Sequence, residues 1–318
     1  MSRALVTGGA GFIGSHITRK LIEEGDEVVV LDNLSTGYRK NIQDRPHVEF
    51  VEGDIRDEQL IAELMNGIDV VFHLAASVGN QRSIEDPIAD SEINVIGTVR
   101  VLEGARRAGV RKVVCSSSAA IFGELKHLPI NEDHPCEPDS PYGVSKLAGE
   151  KHALAYARLY DMQVICLRYF NVYGINQRYD AYGNVIPIFA DRMLKKAPLV
   201  VYDDGDQTRD FVNVEDVAHV NLLAARAEGV SAVFNIGSGT AVTVNELVTQ
   251  MAKACDITPE IKRAPARKGE VRHSRANISA ARSALGYEPT VDLPGGLRDY
   301  IKWMRGELAE SNHPNARK

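Results

Sequence analysis

Cysteine is scarce in this chain of 318 residues, which contains four cysteines and no C-x-x-C pair. Widely separated cysteines in a chain of this length argue against both a disulfide framework and a zinc site. We therefore expect reduced thiols at Cys115, Cys136, Cys166 and Cys255, as in a cytosolic protein, and no bound metal.

Long apolar runs and an excess of positive charge are missing as well. No apolar stretch reaches the roughly 18 residues that a membrane-spanning helix needs, and the N-terminal apolar run is too short for the core of a signal peptide. The net charge of -6 offers no basic field to nucleic acid or to an anionic membrane surface. We expect a cytoplasmic protein with neither nucleic acid nor membrane among its partners, in which a few local arginines could still bind a small anion.

Short β-branched runs alternate with longer segments of helical period in the first half of the chain. The runs ALVTG, EVVVLD, VEFVEGD, DVVFHLAA, KVVCSSS and QVICLRYFN are typical of buried strands, and SHITRKLIEEG is typical of an amphipathic helix between them. This alternation predicts right-handed βαβ units and hence an α/β fold with a doubly wound parallel sheet of the Rossmann type.

The alternation loosens after about residue 173, where glycine, proline and tyrosine gather in NVYGINQRYDAYGNVIP. We predict a dinucleotide-binding domain over residues 1–173, to which segments near 210–237 could return. Residues 174–318 are predicted to form a smaller α/β lobe that closes over the carboxyl ends of the strands, where open α/β sheets bind ligands.

A glycine-rich turn follows the first predicted strand. Gly8, Gly11 and Gly14 stand between that strand and a helix, an arrangement that lets the backbone approach a pyrophosphate at the helix N-terminus. Asp32 ends the next strand, where a carboxylate can bind ribose hydroxyls. Because Asp32 would repel a 2′-phosphate and Asn33 is neutral, the pattern favours NAD over NADP.

A second helix opens at Ser140 and Pro141, since serine is a good N-cap and proline suits the first helical position. Tyr142 and Lys146 are four residues apart and share a face of that helix. A tyrosine with a pKa of about 10 is a poor base. The lysine ammonium, the helix N-terminus and an oxidised nicotinamide would favour the phenolate, which could then accept a hydroxyl proton as hydride leaves the same carbon.

A series of motifs occurs in order along the chain: TGGAGFIG, DNLSTG, GDIRD, HLAA, INVIGT, SSSA, SPYGVSK, RYFNVYG, QTRDF and GEVRHS. Together, from residue 4 to about residue 290, they resemble the extended short-chain dehydrogenase/reductase family. Within it the chain most resembles the NAD-dependent UDP-sugar 4-epimerases. The resemblance implies that Ser118, Tyr142 and Lys146 form a catalytic triad and that Asn94 helps to hold the site together.

The same resemblance implies the contacts to NAD, which would remain bound because it is regenerated in each cycle. The implied residues come from the glycine turn, the strand ends and the catalytic helix: Gly8, Gly11, Phe12, Ile13, Gly14, Asp32, Asn33, Ser35, Thr36, Gly37, Asp54, Ile55, Leu74, Ala75, Ala76, Asn94, Ser116, Tyr142, Lys146 and Tyr169.

The two residues after Ser118 bear on the reaction type. In related 4,6-dehydratases an acidic pair follows this serine, and sugar-nucleotide decarboxylases keep a glutamate there. Here the positions hold Ala119 and Ala120, so general acid–base chemistry at C5 and C6 has no obvious agent. The pattern favours removal of hydride from C4 and its return, although the alanines could also reflect packing alone.

The resemblance also implies a UDP-sugar site. The implied contacts are Ser118, Tyr142, Asn171, Asn184, Val185, Tyr202, Arg209, Arg267, Arg272 and Ser274. The three arginines would grip the diphosphate. Ser274 stands where hexose-only members have a bulky tyrosine, and so would leave room for a 2-acetamido group. Tyr202 is equally suited to a uracil contact and to the core of the smaller lobe.

We therefore expect C4 epimerisation of UDP-N-acetylglucosamine and UDP-N-acetylgalactosamine, with UDP-glucose and UDP-galactose as further candidates. A UDP-glucuronate 4-epimerase is the alternative, with Arg82 or Arg178 binding the sugar carboxylate. A dehydratase is disfavoured by Ala119 and Ala120, and a non-catalytic NAD-binding protein by the presence of Tyr142 and Lys146. Relatives usually dimerise through a four-helix bundle, which implies a homodimer through segments 92–108 and 143–159.

Overall fold

The computed structural model describes residues 2–43, 45–179, 183–266 and 271–311. The strands are β1 (Arg3–Thr7), β2 (Glu27–Asp32), β3 (Val48–Glu52), β4 (Val70–His73), β5 (Lys112–Ser118), β6 (Gln163–Tyr169), β7 (Asn171–Tyr173), β8 (Leu199–Tyr202), β9 (Thr208–Arg209), β10 (Phe211–Asn213), β11 (Ala232–Ile236), β12 (Val242–Thr243) and β13 (Ile261–Ala264). The α-helices are α1 (Phe12–Glu23), α2 (Glu58–Leu64), α3 (Asn80–Glu85), α4 (Pro87–Ser91), α5 (Thr98–Ala108), α6 (Pro141–Leu159), α7 (Val185–Leu194), α8 (Val214–Arg226), α9 (Val244–Cys255), α10 (Ser279–Leu285) and α11 (Leu293–Ser311).

Seven strands form one parallel sheet in the order β3-β2-β1-β4-β5-β6-β11. The first strand, β1, pairs with β2 on one side and β4 on the other, so the strand order reverses at β1. A reversal of this kind opens a crevice at the carboxyl ends of the strands. The predicted α/β fold with a doubly wound sheet is confirmed.

Apolar residues on both faces of the sheet explain why its strands are near-continuous hydrophobic runs. One core cluster includes Val6, Ile17 and Val217 and packs α1 and α8 on one face. A second includes Leu5 and Leu102 and packs α2 and α5 on the other.

A third cluster joins α7, α9 and α11 around residues such as Phe189, Leu247 and Tyr300. This cluster lies entirely after residue 172, whereas α8 and β11 pack with the sheet. The domain boundary at residue 173 stays a prediction. In the described ranges no helix has the length and apolar character needed to cross a membrane.

The four cysteines are free thiols, and Cys115 faces Cys166 in the register of β5 and β6. They therefore contribute to the fold by packing rather than by cross-linking it.

A buried histidine at the end of β4 couples the fold to pH. His73 Nδ1 lies 2.8 Å from Thr7 Oγ1, and its Nε2 lies 2.9 Å from Thr98 Oγ1. Because the Thr98 hydroxyl donates to Asn94 O at 2.7 Å, it must accept its other bond from Nε2–H. Burial, with a smaller contribution from the charge of Lys146, lowers the pKa of His73 to about 3.

This shift predicts a loss of stability in mild acid. Between about pH 6.5 and 3 the unfolded chain binds a proton at His73 that the folded chain does not, so the free energy of unfolding falls as the pH falls through that window. In His73→Asn this part of the slope should disappear, although the variant is less stable at neutral pH. Urea unfolding at a series of pH values measures the slope, with His219→Asn at an exposed position of α8 as the control. An unchanged slope in His73→Asn would contradict the assignment.

Candidate active site

The glycine turn lies at the carboxyl end of β1 and leaves no room for side chains. Gly8 has φ +71°, and a Cβ there would lie 2.7 Å from the backbone nitrogen of Ala75. A Cβ on Gly14 would lie 2.8 Å from Gly9 Cα and closer still to the carbonyl oxygen of Gly8. Since α1 begins directly after Gly11 and has no side-chain cap, its first N–H groups are available to a pyrophosphate.

Asp32 ends β2 beside this turn and is 8% exposed. Its carboxylate accepts hydrogen bonds from the backbone nitrogens of Ala10 at 3.0 Å and Leu34 at 2.8 Å, while burial raises its pKa. Two carboxylate oxygens have about four acceptor positions, so capacity remains for ribose hydroxyls. The glycine turn and Asp32 therefore leave space and acceptor capacity for a dinucleotide at this edge of the sheet, and their contacts to NAD stay predictions.

The neighbouring strand end carries a second acidic residue. Asn33 Nδ2 donates to Asp54 at 2.9 Å, and the Arg56 guanidinium, together with smaller hydrogen-bond contributions, lowers the pKa of Asp54 to about 2. This hydrogen bond ties together the ends of β2 and β3, which are adjacent in the sheet.

Two predicted NAD residues have their polar atoms turned toward the protein. The Tyr169 hydroxyl pairs with the side chain of Asn221 on α8, at 2.9 and 3.0 Å. The Asn94 amide bonds to both backbone atoms of Ser77, with its oxygen 2.8 Å from the nitrogen and its Nδ2 2.9 Å from the carbonyl. Contacts from these two side chains to NAD stay predictions.

Helix α6, which carries Tyr142 and Lys146, begins as the sequence predicts. Ser140 is its N-cap, with Oγ accepting from Gly143 N at 3.1 Å, and Pro141 occupies the first turn. This start places Tyr142 next to the end of β5, where the Ser118 side chain acts to lower the pKa of the tyrosine. Ser118 Oγ also accepts from Ala120 N at 3.1 Å, which fixes the rotamer of the serine.

The ionisation of the Tyr142 and Lys146 pair differs from the expectation. Burial raises the pKa of Tyr142 despite the opposing effect of the Ser118 side chain, and the repulsion from Asp90 adds to the rise. Lys146 donates to Ser116 O at 2.6 Å, and its burial lowers its pKa to about 8. Among the protein's own groups, desolvation outweighs the factors that were expected to favour the phenolate. The oxidised nicotinamide is therefore the remaining candidate for stabilising the phenolate of Tyr142.

Residues predicted to bind the UDP-sugar lie in the smaller lobe and its junction with the sheet. Asn171 donates to Asp210 O through both its backbone nitrogen at 3.1 Å and its Nδ2 at 3.2 Å. Asn184 precedes α7, which begins at Val185, and its side chain does not cap that helix. Tyr202 is half-buried at the end of β8. Arg267 lies outside the described residues.

Arg209 and Arg272, the two predicted arginines within the described residues, lie next to each other beside the backbone of Thr208. Arg209 Nη1 donates to Thr208 O at 2.8 Å and to Arg272 O at 3.3 Å, and Ser274 N donates to Thr208 O at 3.1 Å. The structure therefore brings Arg209, Arg272 and Ser274 together.

The Arg272 guanidinium is bound by two carboxylates rather than directed to a free anion site. It pairs with Asp203 at 2.8 Å and with Asp204 at 2.6 Å. Both partners are about half exposed, so the pairs stabilise the fold little. A diphosphate that uses Arg272 would have to replace these carboxylates.

The comparisons with known proteins place the chain in a family. The model of the NAD dependent epimerase/dehydratase family matches residues 4–237. The chain belongs to this family. The UDP-glucose 4-epimerase of Mycolicibacterium smegmatis is 39% identical over 310 residues, which cover 96% of this chain and 99% of that protein.

Solved structures of family members are equally similar. The UDP-glucose 4-epimerase of Thermotoga maritima with UDP-glucose superposes with a TM-score of 0.92 at 38% identity, covering 96% of this chain and 99% of that one. The Thermus thermophilus UDP-glucose 4-epimerase, in complex with NAD, has a TM-score of 0.88 at 37% identity and the same coverage. These findings confirm the predicted NAD cofactor and the predicted class of NAD-dependent UDP-sugar 4-epimerases.

Sequence reasoning missed a buried ion pair that supports the catalytic helix of this family member. Arg168 on β6 binds Glu150 on α6 through two bonds of 2.7 and 2.9 Å, and Ser117 Oγ donates to the same carboxylate at 2.7 Å. Both charged side chains are at most 3% exposed. The available signal was the position of Glu150, four residues after Lys146 on the same helix.

Proposed function

We propose that the protein interconverts UDP-N-acetylglucosamine and UDP-N-acetylgalactosamine, and also accepts UDP-glucose and UDP-galactose, by oxidising and re-reducing C4. The observation that carries this proposal is the surroundings of Ser118. Its side chain is near enough to Tyr142 to lower the pKa of that tyrosine, and the next two residues are Ala119 and Ala120. The site thus pairs a proton acceptor with a hydroxyl relay and supplies no carboxylate from the two positions used for elimination in relatives.

In the proposed reaction, Tyr142 accepts the proton of the sugar 4-hydroxyl, directly or through Ser118, and returns it to the same oxygen when C4 is reduced from its opposite face. Lys146, four residues after Tyr142 on the same helix, donates to Ser116 O at 2.6 Å and is the proposed cation of the site. Bound NAD would supply the acceptor, and then the donor, of the C4 hydride. The 4-keto sugar must turn over between the two transfers, so the residues that bind UDP have to hold the substrate while the sugar moves. Asn171, Asn184, Val185, Tyr202, Arg209 and Arg272 are our candidates for that task.

The acetamido preference rests on Ser274, which is half-buried beside Thr208. A serine occupies less volume than the tyrosine expected at this position in hexose-only members. Known relatives support both substrates. A UDP-N-acetylglucosamine 4-epimerase from Methanobrevibacter ruminantium, in complex with UDP-N-acetylmuramic acid, has a TM-score of 0.92 at 31% identity and covers 96% of this chain and 99% of that one.

The glucuronate alternative loses one of its two candidate arginines. Arg178 donates to Glu307 at 2.8 Å and stacks on Tyr38, with its guanidinium carbon 4.0 Å from the ring centre. It also lies 5.5 Å from the ring centre of Trp303. These contacts join Arg178 to α11 and leave it poorly suited to binding a sugar carboxylate, so the alternative depends on Arg82.

The decisive experiment uses the purified protein with UDP-N-acetylglucosamine and no added NAD, followed by NMR of the anomeric proton. We expect UDP-N-acetylgalactosamine to appear, since the cofactor is regenerated in each cycle. Turnover of UDP-glucose but not of the acetamido sugar would overturn the Ser274 argument alone. Turnover of UDP-glucuronate only would favour the alternative, and no turnover of any of the three would contradict the proposed function.

We also infer that the protein is a homodimer. Four large apolar side chains are exposed near the two segments that the resemblance implicates: Ile88 (72%), Ile96 (48%), Val144 (54%) and Leu159 (70%). Val144 and Leu159 both lie on α6, the helix that carries Tyr142. A second copy that covers these side chains would remove apolar surface from water.

The dimer proposal predicts that Val144→Asp combined with Leu159→Asp gives a monomer, because two buried carboxylates would oppose association. Light scattering after size-exclusion chromatography measures the mass. Ile261→Asp, at an exposed apolar position on β13 of the smaller lobe, is the matched control and should leave the mass unchanged. A wild-type protein that elutes as a monomer at micromolar concentration would contradict the inference.

A further inference from the structure

A buried carboxylate lies next to α6, and no step of the proposed reaction uses it. Asp90 lies on α4 and is 1% exposed. Its Oδ2 accepts a hydrogen bond from Ser145 Oγ at 2.5 Å, and its Oδ1 accepts one from Asn94 Nδ2 at 3.1 Å. None of the ion pairs found in the described ranges involves Asp90. A carboxylate that is kept in such a place without a directly bound cation calls for an explanation.

The partner of Asp90 occupies a central place on α6. Ser145 comes three residues after Tyr142 and directly before Lys146, and it is itself 2% exposed. Its Oγ lies 3.0 Å from Tyr142 O, within the first turn of the helix. Because a hydroxyl has one proton to donate, the short bond to the carboxylate determines the orientation of Ser145. The Asp90 carboxylate thus hydrogen-bonds to the turn of α6 that lies between Tyr142 and Lys146.

Asn94 extends this attachment to the dinucleotide side of the site. Its Nδ2 lies 3.0 Å from Ser145 Oγ, and its amide binds the backbone of Ser77, which follows Leu74, Ala75 and Ala76. Asn94 lies in the π-helical turn Glu92–Gly97, directly after α4. Such wide turns are rare and occur frequently at functional sites. Asp90, Asn94 and Ser145 therefore connect the segment after β4 to the catalytic helix.

We propose that Asp90 is a positioning residue for the epimerisation, which acts through Ser145 to hold Tyr142 and Lys146 in the reactive arrangement. The proposal rests on the proposed roles of Tyr142 and Lys146. This role would explain why a carboxylate is buried at position 90, since a neutral side chain could fill the same space. The titratable or polar groups that face Asp90 are Tyr142, Ser145 and Lys146 from α6, Asn94 from the π-helical turn and Ser77 from the segment after β4.

Burial raises the pKa of Asp90, whereas the hydrogen bonds from Ser145 and Asn94 favour its ionised form. In that form Asp90 acts on both reacting groups in the same direction. It raises the pKa of Tyr142, after the larger effect of burial, and it also opposes the fall in the pKa of Lys146. Removing the negative charge should therefore lower both values. The two limbs of a bell-shaped pH profile of kcat would then both move to lower pH. A residue that only stabilises the fold would change the amount of active protein and leave both limbs where they are.

The test compares Asp90→Asn, Ser145→Ala and the double variant with the wild type, using the UDP-sugar that the wild type turns over. We expect kcat to fall roughly 10- to 100-fold in each single variant, because small misplacements of reacting groups have effects of this size. KM should change little. Since Asp90→Asn weakens the charge-assisted bond that Ser145→Ala removes, the double variant should be hardly slower than Ser145→Ala. Only the variants that lack the Asp90 carboxylate should show the displaced pH profile. Ser91→Ala, on the exposed side of α4, is the matched control.

Three results would overturn the proposal: a wild-type kcat in Asp90→Asn, an undisplaced pH profile in that variant, or fully additive effects of the two substitutions. If Asp90→Asn fails to fold, Ser145→Ala retains the carboxylate and still tests the positioning role through its kcat. A failure of the proposed function looks different, because the wild type would then turn over none of the three UDP-sugars, and a failure of the role of Tyr142 would leave Tyr142→Phe active. An inactive Tyr142→Phe together with a fully active Asp90→Asn would reject this inference alone.

Discussion

Tyr142→Phe should reduce kcat by roughly 10²- to 10⁴-fold, the usual contribution of a positioned acid–base group. The substitution removes the hydroxyl proposed to accept the proton and keeps the ring that fills the buried site. Retention of NAD should be unaffected, because the glycine turn and the strand ends that we assign to it are untouched. Initial rates with the preferred UDP-sugar, together with the absorbance of cofactor released on denaturation, measure both properties.

Tyr156→Phe is the matched control for this prediction. It removes a hydroxyl from the same helix, where Tyr156 donates to Glu103 at 3.2 Å away from the proposed site. We expect near wild-type kcat. If Tyr142→Phe kept a rate within a few-fold of that control, another group would have to take the proton, and the assignment of Tyr142 would be wrong.

Gly14→Ala should abolish binding of NAD and destabilise the fold. The added Cβ would lie 2.8 Å from Gly9 Cα and still closer to the carbonyl oxygen of Gly8, and neither backbone atom can move without opening the turn. Overpacking of this kind typically has an effect of about 1 to 3 kcal/mol on the free energy of unfolding. The turn also presents the N–H groups of α1, so even a folded variant would lose its approach to a pyrophosphate.

Thermal unfolding and the cofactor content of the purified protein measure the two effects of Gly14→Ala. Gly306→Ala makes the same chemical change in α11, where an added Cβ meets nothing within 4 Å. Because alanine is about 1 kcal/mol more favourable than glycine inside a helix, this control should be as stable as the wild type or slightly more stable. A Gly14→Ala protein with full cofactor content and an unchanged Tm would contradict the proposed place of NAD.

Local features of the chain could be predicted well because neighbouring residues determine them. The glycine turn after β1, the start of α6 at Ser140 and Pro141, and the parallel sheet all depend on short-range sterics, capping or periodicity. The sequence also shows directly that no carboxylate occupies the two positions after Ser118, and this feature favours epimerisation over elimination.

Side-chain contacts between residues far apart in the chain could not be predicted from the spacing of motifs. The two carboxylates that bind Arg272 come from residues nearly seventy positions earlier, and nothing in the QTRDF or GEVRHS motifs indicates them. Arg178 was a candidate for binding a sugar carboxylate until the structure placed it against Tyr38 and Glu307. In both cases an arginine that could have bound an anion is satisfied by side chains that the fold brings to it.

The sequence by itself determined the fold class, the family, the NAD cofactor and the residues to test at the active site, because these follow from local patterns and ordered motifs. Only the tertiary structure decided the electrostatic state of that site. The direction of the pKa shift of Tyr142 depends on burial, and the place of Asp90 depends on a contact with Ser145 across 55 positions of the chain. The desolvation of a side chain and the distances between side chains are properties of the folded chain, so the spacing of residues in the sequence could not predict them.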